Sequence, residues 1–310
     1  AVSFGGESGL RKAGLGGIHP LTQRYGNFTQ LQNIKDGKGM KRVKYDFPEG
    51  GESRATILLI HGTAPIYFDG KIPGCSTNYK LGCMPTYEML ANELTKRSFC
   101  TLRYLRDGVY QNEVNWDEYI DVDHYQIVTQ LQTITREMPS DKPKILFAFS
   151  GGSIHVTKLD LSEAAGVVIV GGLSTNRFHN AAMNVKNKSE WQSFQKEIEN
   201  FRLLSEKEID KINKPNGDGP LKRFWQEIML NDNWTYLQKH VDIPILILHG
   251  SDDVEVNRSQ ACIWKELLPF HNIKSVEIYG GDHFLNTCEE SGAAIISREI
   301  ESWVAENVIA

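Results

Sequence analysis

A serine follows a short apolar run in the stretch Lys144-Ile-Leu-Phe-Ala-Phe-Ser150-Gly-Gly-Ser153. Small residues, Ala148 and Gly152, stand two positions before and two positions after Ser150. A strand that turns at once into a helix needs such neighbours, because a larger side chain would collide across the turn. The pattern predicts Ser150 as a nucleophile raised above a sheet edge. Ser153 is the rival, but the histidine two positions after it does not suit the turn. A Gly/Ser turn without chemistry is the alternative for this stretch taken alone.

Two further loops carry residues that could complete a proton relay with this serine. An apolar run at 243–248 predicts a buried strand, and Asp252 and Asp253 follow it. Another predicted strand, 275–279, is followed by Gly-Gly-Asp and then His283. A general-base histidine needs a carboxylate that fixes its tautomer and stabilises the imidazolium. Taken alone, the aspartates suit an ordinary polar loop and the histidine a solvated side chain. All three sites follow strands, however, which predicts that they meet at one edge of a sheet.

A fourth loop, His61-Gly62-Thr63, follows a predicted strand at 55–60. A serine that attacks a carbonyl needs backbone N–H donors for the negative charge that develops on the substrate oxygen. The N–H groups of Gly151 and Thr63 are the expected donors. His61 is expected to brace this loop rather than to take part in the chemistry.

The elements that must position these residues alternate between strands and helices. Two β-type runs around a glycine-containing turn at 27–47 predict a hairpin. Helical spacing of apolar residues predicts helices at 85–97 and 117–137 and a last helix around 296–304. Repeated strand–helix alternation predicts an α/β fold with a mostly parallel central sheet flanked by helices.

One long interval, 173–241, breaks this alternation, because it contains no convincing strand and shows helical spacing of apolar residues. We expect this interval to form a helical cap over the carboxyl edge of the sheet. The predicted organisation is therefore a glycine-rich N-terminal extension at 1–24, a core made of 25–172 and 242–310, and the cap at 173–241.

The cap carries eight aromatic residues, more than three short helices need for packing. Trp191, Phe194, Phe224 and Trp225 are the expected lining of an apolar substrate pocket above Ser150. Packing of the cap onto the core is the alternative for each of them. Basic and acidic residues nearly balance in the cap, so it should not select a charged substrate.

Composition excludes several classes of function. The chain has 310 residues, a formal net charge of −5 and 40% hydrophobic residues, which suits a soluble globular protein. A mildly acidic balance argues against nucleic-acid binding, which needs a basic excess. The apolar runs fall short of the ~18 residues of a membrane span. No G-x-G-x-x-G opens a βαβ unit, which argues against a dinucleotide enzyme.

Cysteine usage and the amino terminus bear on metals and compartment. The five cysteines form no CxxC motif and no Cys/His cluster, so no metal site is predicted. A bridge between Cys75 and Cys83 stays open beside the simpler alternative of free thiols. The start of the sequence has no apolar h-region, and a cytoplasmic location is expected. Because the sequence does not begin with Met, a secreted, processed form is the alternative.

The chain resembles the α/β-hydrolase superfamily from about residue 27 to residue 307. The cap stands where members of that family carry a lid, between strands six and seven. The resemblance implies a Ser150–His283–Asp253 triad and selects Asp253 over Asp252. The alanine at position 148 departs from the glycine that the family usually has there. The motifs that carry the resemblance are an oxyanion loop at His61-Gly62, a nucleophile elbow at Ala148–Gly152, a Gly-x-x-Asp-x-x-Val acid turn at Gly250–Val256 and a histidine loop at Gly281–Phe284.

The predicted function is a serine hydrolase that cleaves a carboxylic ester or related acyl compound through an acyl-enzyme, without a metal or other cofactor. The same triad acting on a thioester, lactone, amide or carbon–carbon bond is one alternative, and a non-catalytic ligand-binding member of the fold is another. A serine nucleophile argues against the haloalkane and epoxide branches, which need aspartate. The expected substrate is small to medium, uncharged, and apolar or aromatic, and the oligomeric state stays open.

Overall fold

The structure is a computed structural model. It describes residues 28–36, 39–62, 64–74, 84–111, 113–122, 124–203, 232–240 and 242–309.

The described strands form one eight-stranded sheet in the order β1-β2-β4-β3-β5-β6-β7-β8. Strand β2 pairs antiparallel with β1 and with β4, and the pairs from β4 through β3 to β8 are parallel. The mostly parallel sheet predicted from the sequence is thereby confirmed. The strands are β1 (Phe28–Asp36), β2 (Gly39–Phe47), β3 (Thr56–Ile60), β4 (Cys100–Tyr104), β5 (Lys144–Phe149), β6 (Gly166–Val170), β7 (Ile245–Gly250) and β8 (Ile273–Ile278).

Helices cover both faces of the sheet and bury two hydrophobic clusters against it. Trp264 is buried in one cluster and Trp303 in the other. Strands β3 to β7 are buried along their whole length, which is why most of their residues are apolar. The exception is β4, which contains Thr101 and the buried Arg103. The described helices are α1 (Thr86–Lys96), α2 (Trp116–Asp121), α3 (His124–Glu137), α4 (Gly152–Val156), α5 (Arg177–Met183), α6 (Lys188–Leu203), α7 (Trp234–Leu237), α8 (Ser259–Leu267) and α9 (Gly292–Asn307).

The single helix predicted at 117–137 is two helices in the structure. The side chain of Asn115 caps α2 by accepting a hydrogen bond from the backbone N–H of Glu118. At the other end of α2, Val122 adopts an extended backbone, with φ −76° and ψ 117°, and its side chain is buried. The chain leaves helical geometry there, and α3 begins at His124. Apolar spacing continued across the break, so periodicity alone did not reveal it.

The regular elements described between β6 and β7 are the helices α5, α6 and α7, joined by turns and loops. The chain segments at its two ends are joined by hydrogen bonds. The backbone N–H of Trp234 donates to the carbonyl of Ser174 at 2.9 Å, and the Asn233 side chain donates to the carbonyl of Leu173 at 3.0 Å. Two of the three short helices expected in the cap, one beginning at Ser205 and one around residues 224–229, lie outside the described residues. In the part of the chain described here, no helix is long and apolar enough to cross a membrane.

Candidate active site

Ser150 stands between β5 and α4 in a turn that few residue types adopt. Its φ is 52°, in the left-handed region that non-glycine residues rarely occupy. Its backbone N–H donates to the carbonyl of Val170 at 2.9 Å, so the sheet ladder continues to the serine itself. A Cβ atom on Gly152 would lie 2.5 Å from the carbonyl oxygen of Ile60. That close approach is the physical reason for glycine after the turn, whereas Ala148 is accommodated with its methyl group fully buried.

Ser153, the rival nucleophile in the sequence, is fully buried and its hydroxyl is engaged by the backbone. It donates to the carbonyl oxygen of Ser150 at 2.8 Å and accepts from the backbone N–H of Leu173 at 2.9 Å. These two bonds connect the turn to the chain that follows β6. Ser153 therefore supports the turn that presents Ser150.

The loop after β3 lies directly against this turn. A Cβ on Gly62 would lie 3.6 Å from the backbone nitrogen of Gly151 and 3.6 Å from Cβ of Ser150. The ring of His61 is buried and stacks on Tyr104, with centroids 4.5 Å apart and 12° between the planes. Burial and the nearby charge of Arg106 hold the pKa of His61 well below its ordinary value. Thr63, the other expected N–H donor, lies outside the described residues.

Asp253 and His283 meet between the loops that follow β7 and β8. Nδ1 of His283 lies 2.7 Å from Oδ2 of Asp253, and the aspartate side chain is fully buried. The other oxygen, Oδ1, accepts from the backbone N–H groups of Glu255 at 2.9 Å and Val256 at 3.0 Å. Burial raises the pKa of Asp253, but hydrogen bonds and charge from its partners outweigh it, and the pKa is lowered from 3.8. Asp252 is exposed instead.

The histidine loop is held in place by close packing. A Cβ on Gly250 would lie 2.2 Å from the carbonyl oxygen of Gly281, so the acid turn and the histidine loop touch through their backbones. The ring of His283 packs against Phe149, with centroids 4.9 Å apart. A Cβ on Gly171 would lie 3.0 Å from Nδ1 of His283. The ring is thus confined between the ends of β5 and β6.

His249 is a second buried histidine beside the same carboxylate, and sequence analysis did not single it out. Its Nε2 lies 3.0 Å from the carbonyl oxygen of Val256 and 3.5 Å from Oδ2 of Asp253. A carbonyl only accepts, so this nitrogen carries the proton and holds the acid turn in place. A histidine at the end of an otherwise apolar strand, 245–250, was the signal that could have revealed it.

The aromatic residues expected to line a pocket fall into two groups. Phe194 is 8% exposed and packs edge-on against Phe178, with centroids 6.2 Å apart, and beside Trp191 at 5.8 Å. Trp191 is 43% exposed. These contacts join α5 to α6 within the interval itself. Phe224 and Trp225 lie outside the described residues.

No cluster of three or more His, Cys, Asp or Glu side chains suited to a metal ion occurs within the described ranges.

Comparison with solved structures identifies the fold. The chain is similar to the esterase domain of a Rhodothermus marinus protein, with a TM-score of 0.56 and 15% identity over 91% of this chain and 99% of that chain. Est1E from Butyrivibrio proteoclasticus with ferulic acid bound has a TM-score of 0.63 and 12% identity, over 90% and 100% of the chains. A lipase in its open form has a TM-score of 0.59 and 15% identity, over 91% and 100%.

Neither a protein-family model nor a curated protein sequence matches the chain. The structural matches nevertheless extend over nine tenths of this chain and nearly all of each neighbour. At identities this low the structural matches show the fold alone, and this fold agrees with the resemblance found in the sequence. The chain has the α/β-hydrolase fold.

Proposed function

We propose that the protein is a serine hydrolase that cleaves carboxylic esters through a Ser150–His283–Asp253 triad. The observation that carries the proposal is the 2.7 Å contact between His283 and the buried Asp253, with the His283 ring packed against Phe149, the residue directly before a serine with positive φ. Ser150 donates its backbone N–H to Val170, and the His283 ring packs on the following residue, Gly171. Nucleophile and base therefore flank the same strand end.

The contacts around His283 set the direction of proton transfer. A carboxylate only accepts, so Nδ1 of His283 carries the proton and donates a hydrogen bond to Asp253. Nε2 is then the basic nitrogen that takes the proton from the Ser150 hydroxyl as the oxygen attacks the carbonyl. The imidazolium next gives that proton to the leaving alcohol, and an acyl-enzyme remains. Water then gives a proton to Nε2 and attacks the acyl-enzyme, the bond to Oγ breaks to release the carboxylic acid, and His283 returns the proton to the serine oxygen.

The oxyanion of the tetrahedral intermediate requires N–H donors on the side of Ser150 opposite to His283. We assign one of them to the N–H of Gly151, which opens α4. The second is the N–H of Thr63, on the basis of its place in the sequence directly after Gly62. The proximity of Gly62 to the nitrogen of Gly151 supports this pairing, since it brings the two loops together. Pre-positioned donors of this kind stabilise the negative charge without reorganising during the reaction.

The proposed substrates are esters with a small to medium, uncharged, apolar or aromatic acyl group. An esterase domain, an esterase solved with ferulic acid and a lipase among the structural neighbours favour ester chemistry. The interval at 173–241 is proposed to be a cap, with some of its aromatic side chains against the substrate. The packed Phe178–Phe194 pair forms its described apolar part, and the exposed Trp191 is the first candidate for ligand contact.

Covalent labelling tests the proposal directly. A fluorophosphonate probe should modify the purified protein at Ser150, located by peptide mass spectrometry, and Ser150→Ala should abolish both labelling and hydrolysis of p-nitrophenyl esters. Ser153→Ala is the matched control, because it removes a neighbouring hydroxyl and should keep the labelling. A folded wild-type protein that neither labels nor hydrolyses any ester, thioester, lactone or amide in a panel would show a ligand-binding member of the fold instead.

A further inference from the structure

A buried arginine joins the two backbone segments that flank the proposed nucleophile. Arg106 follows β4 and is 3% exposed. Its Nη2 lies 3.0 Å from the carbonyl oxygen of His61 and 3.1 Å from Nε2 of His155. His61 belongs to the loop after β3, and His155 lies in α4, the helix that begins at the nucleophile turn. A single nitrogen, with two protons to donate, therefore links the loop to the helix.

The chemistry of these groups fixes the protons in the contact. A guanidinium nitrogen only donates, so Nε2 of His155 accepts and the ring proton is on Nδ1. That Nδ1 lies 3.2 Å from Nδ1 of His124, which therefore accepts. Burial, followed by the charge of Arg106, holds the pKa of His155 well below its ordinary value, so the ring stays neutral and keeps accepting.

We propose that Arg106 is a positioning residue for the oxyanion hole, holding the loop after β3 at a fixed separation from the N–H of Gly151. The inference rests on the proposed function, since the hole matters only if Ser150 attacks a carbonyl. Oxyanion donors act at about 2.7–3.1 Å, and a misplacement of about 1 Å can cost roughly 100-fold in rate. A Cβ on Gly62 would be in ordinary van der Waals contact with the nucleophile turn, so the two segments lie close together and a small shift of this loop changes the hole.

Arg103 provides a matched control for a buried arginine. It is also 3% exposed, and it also donates to a backbone carbonyl, that of Phe68, at 2.7 Å. Its charge is paired with Asp46 at 2.6 Å. Phe68 lies in the same loop after β3 but seven residues beyond His61. Loss of Arg103 should therefore lower stability, while the contact of Arg106 with His61 keeps the segment His61-Gly62 and the hole in place.

The experiment compares Arg106→Met, Arg106→Lys and Arg103→Met with the wild type. It measures kcat and KM for p-nitrophenyl butyrate and the inhibition constant of a trifluoromethyl ketone, whose adduct with the serine places an oxyanion in the hole.

Loss of one direct oxyanion donor costs about 100- to 1000-fold in kcat, and Arg106 acts only through the loop that carries a donor. Arg106→Met is therefore expected to lower kcat by less, about tenfold. KM should change less than about twofold, while affinity for the ketone falls in parallel with kcat. Arg106→Lys, which keeps a cationic donor, should recover part of both losses, and Arg103→Met should change neither in the folded protein.

Unchanged kcat and ketone affinity in folded Arg106→Met would overturn the proposal, as would equal losses in Arg103→Met. Should Arg106→Met fail to fold, His155→Leu and His155→Gln decide. Glutamine keeps an acceptor for Arg106 and should retain ketone affinity, whereas leucine removes the acceptor and should lose it, and equal affinities would overturn the proposal. Failure of the proposed function gives a different result, namely a wild-type protein that no fluorophosphonate labels.

Discussion

Acid should destabilise the protein through its buried neutral histidines, of which His124 provides a measurable case. The ring is fully buried, and burial, followed by the charges of Lys158 and Arg106, lowers its pKa from 6.5 to about 3. In the unfolded chain this histidine titrates at its ordinary value, so between these two pKa values the unfolded state binds a proton that the folded state does not. The folded-state pKa is depressed, so stability is fully present above the unfolded pKa and is lost as the pH falls towards the folded pKa. From about pH 7 to about pH 5 the loss is about 2 kcal/mol for one such histidine.

Urea unfolding at several pH values in that window measures this loss. The free energy of unfolding should fall less steeply towards pH 5 in His124→Asn than in the wild type. At the lower end of the window the two slopes should differ by close to one bound proton, which corresponds to about 1.4 kcal/mol per pH unit. Asparagine suits the position, because its Oδ1 can accept the hydrogen bond that Nδ1 of His124 receives from His155. Adding His155→Gln should remove a further proton from the slope, since the pKa of His155 is also depressed. Identical slopes in wild type and His124→Asn would refute the reasoning.

Four further substitutions, of which Asp252→Asn is a control, test the candidate site. Asp253→Asn should keep the fold and lower kcat about 10⁴-fold, because the amide favours the wrong tautomer of His283, whereas Asp252→Asn should leave kcat within about twofold. In Gly250→Ala the new Cβ would lie 2.2 Å from a carbonyl oxygen of the histidine loop, so the melting temperature and ester turnover should both fall; a variant with wild-type turnover would contradict the packing described. Ser153→Ala should cost about 1–3 kcal/mol in urea unfolding, because it leaves a buried backbone N–H and C=O without their hydroxyl partner, yet the fluorophosphonate should still label it.

The centre of the sheet could be predicted from the sequence because strands β3 to β7 are buried on both faces. After Lys144, β5 is an uninterrupted apolar run, and the structure has this strand where the sequence predicts it, directly before Ser150. The strand expected at 243–248 begins at Ile245 instead, directly after a proline that cannot donate to the ladder. Helix α5 was not among the three helices expected in the cap, since it buries little, and of its residues only Asn180 is buried. Periodicity reports burial, and elements with little burial leave a weak signal.

Only part of the candidate site could be predicted from the sequence, because some of its contacts leave no signal in the spacing of residues. Ser150, Asp253 and His283 each stand just after a strand, so their order along the chain already indicated one edge of the sheet. The contact between Arg106 and His155 has no such signal, since it joins the end of one strand to a helix 49 positions later. Buried polar contacts of this kind depend on packing in three dimensions rather than on spacing along the chain.

The partners of the buried histidines divide them by chemistry. His61, His124 and His155 lie near the guanidinium of Arg106, and their depressed pKa values follow from burial together with that charge. A ring next to a fixed cation is a poor general base, because the imidazolium that it must form would be repelled. These three histidines are therefore suited to holding two segments in place, the helix α4 and the loop after β3. They are unsuited to taking a proton from Ser150.

His249 and His283 lie instead beside the carboxylate of Asp253, at 3.5 and 2.7 Å. A neighbouring carboxylate stabilises an imidazolium, so either ring could in principle hold the proton of a serine hydroxyl. His249 is 1% exposed and donates from Nε2 to the carbonyl of Val256, so only its Nδ1 has a lone pair, and burial lowers the pKa of the ring. His283 uses Nδ1 for the carboxylate and keeps Nε2 as the basic nitrogen, and its ring packs against Phe149, the residue before Ser150. Burial of His249 and the place of His283 beside the nucleophile turn thus both favour the proposal that His283 is the base.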